Sequence, residues 1–72
     1  MRSGAIYEIT FAGEAGNTLR AAFDDCKVST SAGRTTLRAE LPDQAALFGL
    51  MERIRDFGLE VVELHRAADL SR

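Results

Sequence analysis

Five apolar residues, Leu47, Leu50, Met51, Ile54 and Phe57, recur at steps of three and four. That spacing gathers them into one stripe and predicts an amphipathic helix within Leu41–Gly58. Pro42 and Asp43 mark its start, because an Asp side chain can accept from the free N–H groups of the first turn and suits the positive end of the helix dipole. Gly58 marks its end, where glycine can take the left-handed conformation. At about 100° per residue Phe48 falls to the side of the stripe, as either a flank contact or an exposed aromatic.

The rest of the chain alternates instead. In Ala5–Phe11, Tyr7, Ile9 and Phe11 point one way and Ile6, Glu8 and Thr10 the other, the pattern of a half-buried strand. Gly13 and Gly16 interrupt it, and Asn17 is placed to cap a short helix, regular or loose, over residues 18–25 whose apolar side is Leu19, Ala22 and Phe23. Residues 26–30 read as a second strand, with Cys26 and Val28 inward and Lys27 and Ser29 outward. Ser31-Ala32-Gly33 is turn chemistry. In the third strand, residues 34–41, Thr35, Leu37, Ala39 and Leu41 face in, and Arg34, Thr36, Arg38 and Glu40 face out. A last strand spans 59–66; adjacent valines leave its phase open, and we expect Val62 and Leu64 inward with Val61, Glu63 and His65 outward. Residues 67–72 read as a frayed polar tail, and about 4–66 as the ordered core of a single domain, 1–72.

Strand, helix, strand, strand, helix, strand is satisfied most economically by two helices on one face of a four-stranded antiparallel sheet. We therefore expect an α+β, ferredoxin-like βαββαβ sandwich with the first and third strands at its centre.

Composition narrows the function classes. With 46% apolar and 28% charged residues the chain is an ordinary globular one, and its net charge of −2 argues against a general phosphate-backbone binder. One cysteine, Cys26, cannot form an internal disulfide, which suits a reducing cytoplasm. Residues 1–8 contain no apolar run that would serve as a signal peptide or a membrane span. Eight Arg against one Lys, with eleven Ala, suggests a GC-rich bacterial genome.

Three stretches carry a resemblance: Tyr7–Gly13, Leu19–Phe23, and Asp43–Leu47 continued through Gly49-Leu50 and Arg53–Asp56 to Gly58-Leu59. In these the chain resembles a group of small uncharacterised bacterial proteins common in actinobacteria. The resemblance covers nearly the whole chain and implies a stand-alone cytoplasmic domain with no known active site to carry over. Relatives often have His where this chain has Phe48, so no proton-carrying or ligand role transfers to that position. At the level of fold the chain is also similar to ACT-type regulatory domains, which pair through their sheets to hold small effectors, though it lacks their glycine-marked ligand loop.

Most candidate motifs dissolve under their chemistry. Asp56-Phe57-Gly58 spells a kinase metal-binding triplet, but it ends a helix in a chain far too short for a kinase. Gly13-Glu14-Ala15-Gly16 lacks the spacing of either phosphate-binding fingerprint. Cys26 reads as a small core hydrophobe rather than a reactive thiol, and without a second cysteine at metal spacing no metal or cofactor is expected. An acylphosphatase-type cradle is missing after the first strand. The outward positions Ile6, Glu8, Thr10, Thr36, Arg38 and Glu40 offer no aromatic for stacking RNA bases.

One constellation survives. Glu8, Arg38, Glu63 and His65 should share the open face of the sheet. A histidine among carboxylates can act as a base, a ligand or a switch, whereas the plainer reading is a solvated face with cross-strand charge pairs. We expect a non-enzymatic interaction module, a homodimer or the subunit of a protein partner, with Ile6, Phe48 and Val61 as interface residues. The alternative is a small-ligand sensor in which Arg38 meets an anionic metabolite on that face or in a dimer groove. An enzyme built on His65 with Glu63 or Glu8 ranks third. Neither nucleic acid nor membrane is an expected partner.

Overall fold

The alternating first segment forms β1 (Ala5–Ala12), and the computed structural model describes residues 4–69 in all. The elements that follow are α1 (Asn17–Ala22), β2 (Lys27–Ser31), β3 (Arg34–Leu41), α2 (Gln44–Asp56) and β4 (Val61–Asp69). Four strands make one antiparallel sheet in the order β2-β3-β1-β4, so β1 and β3 take the centre. Because β1 and β2 both run opposite to β3, they are parallel to each other with β3 between them; β3 and β4 flank β1 in the same way.

Both helices cover one face. Ile9 and Phe11 of β1 and Leu37 and Ala39 of β3 pack with Phe23, at the end of α1, and with Leu50 and Ile54 of α2 in a single buried cluster. Each fully buried Ile, Leu or Phe contributes about 1.5–3 kcal/mol, and in a domain this small those few side chains carry most of the apolar stabilisation.

α2 has the ends its residues imply. Asp43 Oδ1 accepts from the Ala46 N–H at 2.9 Å. At the other end Gly58, at φ +73°, donates to the Arg55 carbonyl and Leu59 donates to the Ile54 carbonyl. This paired closure requires a left-handed residue at Gly58. Phe48 is 63% exposed on the outer side of the helix, so the flank contact is not made.

α1 differs from expectation. Gly16, not Asn17, is its cap residue, no side chain caps it, and the helix stops at Ala22. Its loop is fixed from the sheet instead: buried Thr35 donates from Oγ1 to the Gly13 carbonyl at 2.7 Å and accepts from the Ala15 N–H at 2.9 Å. The exposed end of α1 is held by Arg53, which donates to the Ala22 carbonyl at 2.6 Å and lies 4.7 Å over the Phe23 ring. Between β2 and β3 the turn is only Ala32-Gly33, both at positive φ (54° and 77°), which suits the right-handed twist of the hairpin.

β4 corrects the expected phase. Glu63 pairs with Thr10 and Val61 with Phe11, leaving Val62 as an extra residue in a bulge. Val61 therefore faces the helices and packs on the core, Val62 is 43% exposed, and Leu64 lies opposite Ile9 on the helix side yet remains 42% exposed. A second bulge at Ala67 lets the strand continue, with Ala68 opposite Ile6 and Asp69 opposite Ala5. Residues 67–69 are thus strand rather than tail; residues 70–72 lie outside the described residues.

Candidate functional site

The face of the sheet away from the helices has no covering layer among the described residues. Alternation from buried Ile9 puts Glu8 on this face at the centre of β1, opposite Arg38 on one side and His65 on the other. Arg38 Nη1 donates to Glu8 Oε2 at 2.6 Å, and His65 Nε2 stands 3.1 Å from Glu8 Oε1. His65 Nδ1 is 3.5 Å from Glu63 Oε2, which closes a linear chain Arg38–Glu8–His65–Glu63 across three strands. Glu8 is its most sheltered member at 28% side-chain exposure, and the others range from 44% to 63%. Beside it Thr10 and Thr36 share a hydroxyl–hydroxyl hydrogen bond of 2.9 Å.

The structure brings those four side chains together but disperses the three expected interface residues. Ile6 is half-buried on the open face, Phe48 stands on the outside of α2, and Val61 lies under the helices. Val61 leaves the open face because the bulge at Val62 shifts the alternation by one residue. One further open-face cation, Lys27, pairs with Arg38 in register, and its place in the alternation of residues 26–30 was the available signal.

A shallow cavity of about 430 Å³ opens next to this chain, lined by Ile6, Asp24, Asp25, Cys26, Lys27, Arg38 and Glu40. Asp25 belongs electrostatically to the helix layer. The hydrogen bond from Arg53 holds its carboxyl below the ordinary range, although partial burial works the other way. Burial, with the neighbouring Asp25 charge, pushes the Cys26 thiol up to about 11. Cys26 donates to Asp25 Oδ1 at 3.8 Å and packs against the core, as a small hydrophobe does. Among the described residues no three His, Cys, Asp or Glu side chains cluster so as to hold a metal ion. None of the described helices is long and apolar enough to cross a membrane.

A family model matches residues 6–65, a span that starts at Ile6 and ends at His65 of the open face. The chain belongs to that family, a domain of unknown function (DUF8691). The DUF8691 span takes in both helices, all or part of each strand, and every member of the Arg38–Glu8–His65–Glu63 chain. No curated protein and no solved structure matches the chain.

Chemically, the polar chain is closed on itself. Both oxygens of Glu8 and both nitrogens of His65 have partners within the chain, and the Arg38 guanidinium is drawn toward Glu8. Exposed pairs of this kind contribute about 0.2–1 kcal/mol each and fix the strands in register.

Proposed function

We propose that this DUF8691 chain is a non-enzymatic interaction module, working as a homodimer or as the subunit of a protein partner. The single observation that carries the reading is the closed Arg38–Glu8–His65–Glu63 chain. Its groups lie on a solvated strand surface and face one another, through one hydrogen bond from Arg38 to Glu8 and through His65 standing 3.1 and 3.5 Å from the Glu8 and Glu63 carboxylates. A general base or nucleophile works from a sheltered site with a partner aimed at the substrate. The strand order β4-β1-β3-β2, with each β-α-β unit split by a strand of the other, supports a ferredoxin-like assignment of the fold. The lone cysteine and the Arg- and Ala-rich composition favour a bacterial cytoplasmic protein.

The small-ligand alternative has one observation in its favour: Lys27 and Arg38 both line the 430 Å³ cavity and offer an anionic, ACT-type effector two cations, beside the carboxylates of Asp24, Asp25 and Glu40. Such a ligand must compete with Glu8 for Arg38.

Light scattering over about a hundredfold range of concentration tests the homodimer reading. A mass that climbs to twice that of the chain is the expected result. The mass of a single chain throughout the range would overturn it.

A further inference from the structure

We infer that the second copy docks on the outer edge of β4, in antiparallel register about a two-fold axis through Leu64; this rests on the homodimer reading above. β4 ends the sheet, and among the described residues no strand pairs with its outer edge. Its bulges at Val62 and Ala67 leave Glu63-Leu64-His65-Arg66 as the one uninterrupted stretch. A partner strand can follow a regular ladder only there.

Within that stretch the side chains select one register. A symmetric antiparallel pair places residues of the same face opposite each other, so the axis must pass through a residue. Centred on Glu63 it opposes two carboxylates, and centred on His65 it opposes two imidazoles and sets Leu64 against Arg66. Centred on Leu64 it opposes Glu63 to the partner's His65 twice and Leu64 to the partner's Leu64. This arrangement sets no two ionisable side chains of one kind opposite each other, whereas an axis through Arg66 would oppose two guanidinium groups; it leaves Val62 opposite the partner's Arg66.

It also covers a side chain that the monomer leaves short of cover. Leu64 sits opposite fully buried Ile9, on the helix side, but is 42% exposed because the helix layer stops short of this edge. Met51, Ile54, Arg55, Leu59 and Val61 line a mostly apolar groove of about 240 Å³ between α2 and β4. The open face is the poorer surface for a second copy. Stacking two sheets there would bury the whole ionic chain with little apolar area beyond Ile6, and desolvating charges opposes that.

The test is Leu64→Lys, which sets two ammonium groups on the axis, studied by light scattering with circular dichroism to show that the fold is kept. The dimer's apparent Kd should rise at least about tenfold. A second measurement uses Leu64→Cys in a Cys26→Ser background. A thiol-specific bismaleimide spans directly opposed Cβ atoms about 4.5–5.5 Å apart and should give a crosslinked dimer, whereas Ser29→Cys in the same background should not. A dimer that persists unchanged in Leu64→Lys, with no preferential crosslinking at 64, overturns the β4 interface while leaving the homodimer reading intact. A wild-type chain that is monomeric throughout overturns both.

Discussion

Replacing Thr35 by Val exchanges one hydroxyl for a methyl at a side chain with no solvent exposure. That hydroxyl makes two hydrogen bonds, to the Gly13 carbonyl at 2.7 Å and from the Ala15 N–H at 2.9 Å. Each contributes about 1 kcal/mol net, and the abandoned backbone groups lose their partners. Gly13 is exposed and Ala15 half-buried, so water can recover part of the loss. We therefore expect Thr35→Val to cost about 2 kcal/mol, a fall of roughly 8–16 °C in Tm for a domain of this size. Thr35→Ser keeps the hydroxyl and loses one buried methyl, so it should cost only about 1 kcal/mol. Urea denaturation followed by circular dichroism, with equal slopes for all three proteins, measures both. The reasoning is refuted if Thr35→Val lies within about 0.5 kcal/mol of wild type, or if Thr35→Ser loses as much as Thr35→Val; the methyl and not the hydroxyl would then hold the site.

Three other outcomes are expected. Ala32, at φ 54°, occupies a left-handed position that costs an L-residue with a plain Cβ about 1 kcal/mol, so Ala32→Asn should stabilise the hairpin by about 0.5–1 kcal/mol; an unchanged or lower Tm would count against the turn assignment. Burial raises the Cys26 thiol from 9.0 to about 11, so the native thiol should react with a disulfide reagent at pH 8 up to about a hundredfold more slowly than in the urea-unfolded chain. The same shift has a sign in stability: the neutral thiol is favoured in the fold, so its contribution is fully present below pH 9 and declines as pH rises toward 11. Cys26→Ala should remove that alkaline decline, and an identical pH profile would show that Cys26 does not cause it.

Much of this protein could be read from short-range pattern alone. Period-two alternation assigned the faces of β1 and β3, and Asp43 and Gly58 bounded α2, because each depends only on neighbours within one turn or one strand. The same alternation placed Glu8 and Arg38 on one face, and Glu63 and His65 were expected beside them on one of two phases open to β4. Tertiary structure decided the rest. The adjacent valines of β4 obey no single phase, and only pairing with β1 shows which one becomes the bulge. α1 took its anchor from Thr35, twenty residues beyond Ala15, rather than from a local Asn17 cap, because a buried hydroxyl in the sheet offers both a donor and an acceptor to the loop. Whether Phe48 finds a contact depended on how far the helix layer reaches. The closed pairing of the polar chain depended on strand register, which brings residues 57 positions apart in sequence, Glu8 and His65, to 3.1 Å. Local pattern fixes which way a side chain points, because that depends on backbone geometry over a few bonds. What it meets there depends on contacts made by residues far along the chain, and these form only when the sheet assembles.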